Sequence, residues 1–193
     1  MKRLCFLVIC MSIIMGCSTS TSSTKALVDY VDPNIGTAHC RWFFYTPAAI
    51  PFGMAKLAPS TDAHLGNPGG WQAVGYDFRH TSIEGFANFH EFQVGGVVFA
   101  PTVGELQTVP GELENPDGGY RSRFDKKDEV AAPGYYSVLL KDYGVKAELT
   151  AMKRVGFHRY TYPKTELANL IFDIGNKQGE SGEVKDAEVQ YFE

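Results

Sequence analysis

The sequence predicts an all-β protein built as a β-sandwich, and three observations carry that expectation. Apolar and polar residues alternate with period two through much of the C-terminal half. The 20 glycines and 10 prolines among 193 residues slightly exceed ordinary usage and mark many turns. No stretch of useful length carries a 3.6-residue apolar stripe with capping residues. Many short strands at hairpin spacing bury their apolar faces most simply as two packed sheets.

The strands follow in order. Val94 to Thr102 reads as a strand in which Gly95-Gly96 marks a bulge or a close backbone approach. Tyr135 to Asp142 alternates, with Tyr136, Val138 and Leu140 on one face. Lys141-Asp142-Tyr143-Gly144 is a turn, after which Val145, Ala147, Leu149 and Ala151 face one way and Lys146, Glu148 and Thr150 the other. Period-two patterning on both sides of a glycine-containing turn marks an antiparallel hairpin. Val155 to Tyr162 and Leu167 to Ile174 are two more strands, separated by Pro163-Lys164-Thr165. Asp186 to Phe192 begins to alternate again just before Glu193, which leads us to expect a piece of a longer protein.

Composition narrows the function. A hydrophobic fraction of 44% excludes wholesale disorder. A net charge of -4 argues against a nucleic-acid surface, which needs a basic stripe.

Residues 1–16 read as a lipoprotein signal peptide rather than part of a fold. Lys2 and Arg3 precede an apolar run from Leu4 to Gly16 broken only by Ser12. That run is shorter than the roughly 20 residues a bilayer span requires, but it suits a secretory leader. Ile14-Met15-Gly16-Cys17 resembles a bacterial lipoprotein cleavage box, which implies that Cys17 is lipidated and becomes the mature N-terminus. The alternative is an ordinary signal peptide cut nearby. Two or more acyl chains anchor stably where one does not. Loss of Lys2 and Arg3 with the leader takes the net charge from -4 to -6. Of the 4 cysteines the mature chain keeps Cys17 and Cys40, so a lipidated Cys17 leaves Cys40 a lone thiol. Residues 17–26 form the lipidated cysteine and a Ser/Thr-rich tether, and residues 27–193 the β domain.

Candidate chemistry gathers between residues 29 and 104. His39-Cys40-Arg41-Trp42-Phe43-Phe44-Tyr45 places four consecutive aromatics behind a cation, a pattern an amphipathic strand would not produce. Arg41 and Trp42 fit a sugar platform, in which an aromatic face takes the C–H edge of a pyranose and polar groups take its hydroxyls. An aromatic cluster buried at a domain interface is the other reading. Trp71 follows the glycine-rich Gly66-Asn67-Pro68-Gly69-Gly70 and suits either stacking on a sugar or plugging a sandwich edge. His80, Glu84, His90 and Glu91 have metal-ligand atom types without metal-ligand spacing. Spacing alone does not make Glu84 and Glu91 a glycosidase acid–base pair, and neither a Ser-His-Asp signature nor a phosphate loop is present.

At these residues the chain resembles a known family. Tyr30-Val31-Asp32-Pro33-Asn34-Ile35-Gly36-Thr37, Pro47-Ala48-Ala49-Ile50-Pro51-Phe52-Gly53-Met54, Ala58-Pro59-Ser60-Thr61, Trp71, Gly75-Tyr76, Ile83-Glu84-Gly85-Phe86, His90 and Pro101-Thr102-Val103-Gly104 follow in the order found in the N-terminal domain of glycoside hydrolase family 92. That family comprises bacterial exo-acting α-mannosidases. The resemblance implies a galactose-mutarotase-like β-supersandwich packed on a following (α/α)6 barrel that this chain lacks, with the substrate pocket at their junction. It implies an inverting mechanism and a calcium ion (Ca2+) whose ligands lie mostly outside this fragment. The catalytic acid and base come from the helical domain, so no catalytic residue is expected here. Trp71, His90, Arg41, Trp42 and Glu84 are the expected substrate-binding residues, and a mannose-containing glycan the expected ligand. His90 matches the second histidine of a His-Thr-His stretch, which here reads Asn88-Phe89-His90, and residues 39–46 replace a Gly/His-rich run with bulky rings. The implied setting is the bacterial cell envelope, with the membrane reached through the lipid anchor. A lipid-anchored glycan-binding protein without hydrolytic activity is the alternative from a different class, and a structural surface β-domain a third.

Overall fold

The computed structural model describes residues 25–38, 48–61, 75–90, 97–176 and 183–192. Cys17 with the leader, the aromatic run 41–45, Trp71, Glu91 and Gly95-Gly96 lie outside the described residues.

The chain divides into two compact units, Met1–Tyr30 and Val31–Glu193. In the first, a 3-10 turn spans Leu27–Tyr30. It is held by the Asp29 carboxylate, which accepts the Ala26 N–H at 2.9 Å.

Among its described residues the second unit is all β apart from two 3-10 turns, Pro116–Gly118 and Lys126–Asp128. Its strands are β1 (Ala58–Ser60), β2 (Ser82–Ile83), β3 (Gly85–Ala87), β4 (Val98–Val103), β5 (Ser122–Arg123), β6 (Val130–Ala132), β7 (Tyr135–Leu140), β8 (Val145–Ala151), β9 (Gly156–Thr161) and β10 (Ala168–Asp173). One sheet runs β1-β3-β4-β10, a second runs β6-β7-β8-β9, and β2 pairs with β5 in a short ladder. Every pairing among the described residues is antiparallel.

The β7–β8 hairpin forms as its periodicity dictates. Tyr136 faces Leu149, Val138 faces Ala147 and Leu140 faces Val145. All six are buried and form the centre of the core together with Leu57, Ile83 and Phe86 from the other side. Each fully buried Leu or Val side chain contributes roughly 1.5–3 kcal/mol relative to exposure. The sheets meet through rings as well, with Phe86 5.8 Å from Tyr160 and Phe99 4.9 Å from His158 between centroids. Two antiparallel sheets sharing one core are the β-sandwich expected from the sequence.

On the polar face of β8 the structure refines the alternation. Glu148 is nearly buried because it accepts hydrogen bonds from Arg159 Nε at 2.8 Å and the Tyr135 hydroxyl at 2.7 Å. Those two donors, Arg159 foremost, pull its carboxyl pKa down to about 2.

One expectation is corrected. Asp186 to Phe192 does not form a strand, and Val189, Tyr191 and Phe192 are exposed. Alternation alone does not make a strand, because the backbone N–H and C=O groups need a neighbouring ladder that this stretch does not have.

Candidate functional site

The expected site residues that the structure describes, Glu84 and His90, flank β3. Glu84 sits between β2 and β3, where Gly85 takes φ +156 and the backbone approaches β4 so closely that a Cβ would stand 2.4 Å from Val98 Cγ1 and 2.9 Å from the Phe99 carbonyl oxygen. Only glycine fits there. The Glu84 N–H donates to the Ser60 carbonyl at 2.9 Å, which ties this corner to the end of β1.

The Glu84 carboxylate faces Arg121 Nη2 at 3.9 Å, and neither side chain is exposed to solvent. Arg121 Nη2 also donates to the Thr61 carbonyl at 2.5 Å. Thr61 in turn accepts the Asp77 N–H on its hydroxyl at 3.0 Å, and the same Oγ1 lies 2.9 Å from His80 Nδ1. Burial disfavours the imidazolium of His80, so its pKa falls below the ordinary histidine value. Asp77 is buried and takes a bidentate grip from Arg79, Nε at 2.9 Å and Nη2 at 2.6 Å. The result is a polar nest, buried at Glu84, Arg121 and Asp77 and open to solvent at Arg79, in which two carboxylates are matched with guanidinium groups.

The loop bearing Asp77 is braced from behind. Lys126 Nζ lies 5.2 Å from the Tyr76 ring centroid, 4.4 Å from that of Phe78 and 4.6 Å from that of Phe124. It is paired with Glu129 at 2.8 Å. Glu129 accepts the Tyr76 and Tyr136 hydroxyls at 2.9 and 2.7 Å. Burial raises both phenol pKa values, with Glu129 adding to the rise, so the tyrosines act as permanent donors.

His90 is buried, and its Nε2–H donates to the Ala58 carbonyl at 3.1 Å. Its ring is therefore oriented by the β1 backbone. The structure thus places Glu84 and His90 at opposite ends of β3, each tied to β1. Arg41, Trp42, Trp71 and Cys17 lie outside the described residues. Arg121 is not legible in the sequence as a partner of Glu84, since nothing in Gly119-Tyr120-Arg121-Ser122 distinguishes a buried arginine from a surface one.

This arrangement bears on the calcium expectation. Among the described residues no three His, Cys, Asp or Glu side chains converge on a cation position. Glu84 and Asp77 face cations already, so these two carboxylates do not fit a calcium cage. Among the described residues no helix is long and apolar enough to cross a membrane.

Comparison with known proteins places the chain. Residues 30–193 match the model of the glycosyl hydrolase family 92 N-terminal domain. The family GH92 α-mannosidase BT3965 from Bacteroides thetaiotaomicron is 39% identical, with a TM-score of 0.73 over 79% of this chain and 20% of that one. The same protein in complex with mannoimidazole superimposes with a TM-score of 0.69 at 39% identity, again over 79% of this chain and 20% of that one. The GH92 family glycosyl hydrolase ccman5 is 30% identical, with a TM-score of 0.60 over 77% of this chain and 20% of that one. No curated protein matches the sequence. The chain spans about a fifth of the length of the solved structures it matches. An antiparallel sandwich of this topology, matched by the family model from Tyr30 to the last residue, shows that the chain belongs to glycoside hydrolase family 92, as its N-terminal domain.

Proposed function

We propose that this chain is the substrate-pocket-contributing N-terminal part of an inverting, calcium-dependent exo-α-mannosidase acting on terminal α-mannosides of glycans. The observation that carries the reading is the 39% identity to an α-mannosidase whose own structure has been solved with mannoimidazole. In this reading the helical partner domain supplies the acid that protonates the departing oxygen and the base that activates water on the opposite face of the sugar. Calcium would bind there too, with ligands mostly outside the present residues, where it would hold mannose hydroxyls.

The sandwich would contribute a wall. Thr61, whose carbonyl receives Arg121, directly precedes the segment that carries Trp71, the proposed stacking residue. Arg41, Trp42, His90 and Glu84 complete the proposed substrate-binding set, in which the buried Glu84 and His90 would act by holding their corner rigid, Glu84 through Arg121 and His90 through the Ala58 carbonyl. Lipidation at Cys17 would fix the enzyme to the bacterial envelope.

Release of free mannose from defined α-linked disaccharides by the full-length protein, with and without a chelator, tests the reading. Turnover abolished by chelation and restored by calcium is expected, while residues 18–193 alone release nothing. Mannoside binding without turnover by the full-length protein would favour a glycan-binding role instead.

A further inference from the structure

The second unit also holds a cavity of about 430 Å3, lined by Met54, Ala55, Asn88, Phe89, Arg154 and Gly156. It lies where the turn before β1, the end of β3 and the β8–β9 turn come together. Gly156 makes the junction possible, since a Cβ there would stand 2.4 Å from Leu57 Cδ1 and 2.7 Å from Asn88 Oδ1.

Its polar groups are arranged as donors. Asn88 Oδ1 lies 2.9 Å from His158 Nε2, and His158 Nδ1 lies 2.8 Å from the Tyr160 hydroxyl. A neutral His158 that donates from Nε2 and accepts the Tyr160 proton at Nδ1 satisfies both contacts. Asn88 then has its amide NH2 left to offer. Arg154 is exposed, and no carboxylate lies within ion-pair distance of it among the described residues. The backbone around the cavity is tied down by the Lys56 N–H on the Asn88 carbonyl at 3.0 Å and the Met54 N–H on the Lys153 carbonyl at 2.7 Å. Arg154 is the one cation among the cavity's described lining residues, and it has no described carboxylate partner in a chain whose net charge is -4.

The apolar side is equally marked. Phe89 is half exposed and Met54 more so, at 47% and 60%. Two residues before Met54, Phe52 is fully exposed and adopts φ 59, a left-handed conformation that a bulky residue rarely takes. Strain and exposure both oppose a purely structural role for that ring.

The geometry points to a saccharide-binding subsite for a sugar that carries an anionic group, carboxylate or phosphate, with its ring over Phe89 and Met54 and its charge against Arg154. This deepens the glycan reading proposed above and rests on it for the sugar. The subsite lies apart from the Glu84–Arg121 nest in its lining residues and differs from it in having a cation free to meet a ligand.

Calorimetric titration of the full-length protein with mannose 6-phosphate, glucuronate and methyl α-mannoside tests the inference. At least one anionic sugar should bind about 10-fold or more tightly than the neutral one, and Arg154→Gln should abolish that preference. The tighter of the two acids names the source of the charge. Equal affinity for charged and neutral sugars, or a preference that survives Arg154→Gln, overturns the proposal. Anionic-sugar binding in a protein without mannosidase turnover would sink the enzymatic reading and leave this one standing. Turnover of neutral mannosides with no anionic preference would do the reverse.

Discussion

Glu84 and Arg121 come within 3.9 Å of each other with neither side chain reaching solvent. Burying a carboxylate or a guanidinium alone costs several kcal/mol, and here each offsets part of the other's cost. The pair joins the β2–β3 corner to the strand β5 region, and through the Thr61 carbonyl to the end of β1. It is the electrostatic centre of the described polar nest.

Breaking that pair should be costly. Glu84→Gln or Arg121→Met is expected to lower unfolding free energy by about 3–5 kcal/mol, because each leaves its partner charged and buried. The double replacement Glu84→Gln with Arg121→Met should recover part of the loss. Urea midpoints of the three variants check this, and additive losses in the double variant would show that the two side chains are not coupled.

His158 predicts a pH dependence of stability. Burial among Phe99, Tyr160 and Asn88 lowers its pKa from 6.5 to about 4. The folded state therefore favours neutral imidazole, and the unfolded chain binds more protons between those values. Its contribution is present in full above pH 6.5 and declines as the pH falls toward 4, by up to about 3 kcal/mol. His158→Gln should flatten that part of the urea-midpoint profile, and an unchanged slope would remove His158 as its source.

At the tight corner of β3, Gly85→Ala should destabilise by more than about 2 kcal/mol. The added methyl meets Val98 Cγ1 at 2.4 Å and the residue keeps φ +156, so steric and backbone penalties act together. Thermal unfolding measures the loss directly, and a Tm within a degree or so of the parent would mean that the corner relaxes freely.

For the proposed sugar site, Trp71→Ala in the full-length protein should reduce kcat/KM on a mannoside by the equivalent of about 1–3 kcal/mol, a typical loss for a stacking contact. Steady-state kinetics read this out. An unchanged kcat/KM would take Trp71 out of the site.

Much of the sandwich is legible in the order of residues alone. The β7–β8 hairpin is written locally, in Tyr136, Val138 and Leu140 against Val145, Ala147 and Leu149, because a strand with one buried face must alternate. β9 and β10 fall within a residue or two of the stretches that alternation marks, for the same reason. The ordered family motifs identify the domain, and Glu84 and His90 stand out by residue type. What alternation does not reveal is whether a stretch finds a partner, and Asp186 to Phe192 alternates without pairing.

The amino-acid sequence by itself determined the strands from β7 to β10, the turn between β7 and β8 and the family, because each is recorded in residues that lie close together along the chain. The short strands β1, β2, β3, β5 and β6 carry too few residues to show a period. The tertiary structure alone decided which charges neutralise one another. Arg121 meets Glu84 and Thr61, and His158 meets an asparagine 70 positions away, only because two sheets fold over one core. The same packing left Arg154 without a described carboxylate at the rim of a cavity. Pairing of this kind depends on register and packing between distant segments, and Coulomb energy and desolvation respond to distance and burial rather than to order in the chain.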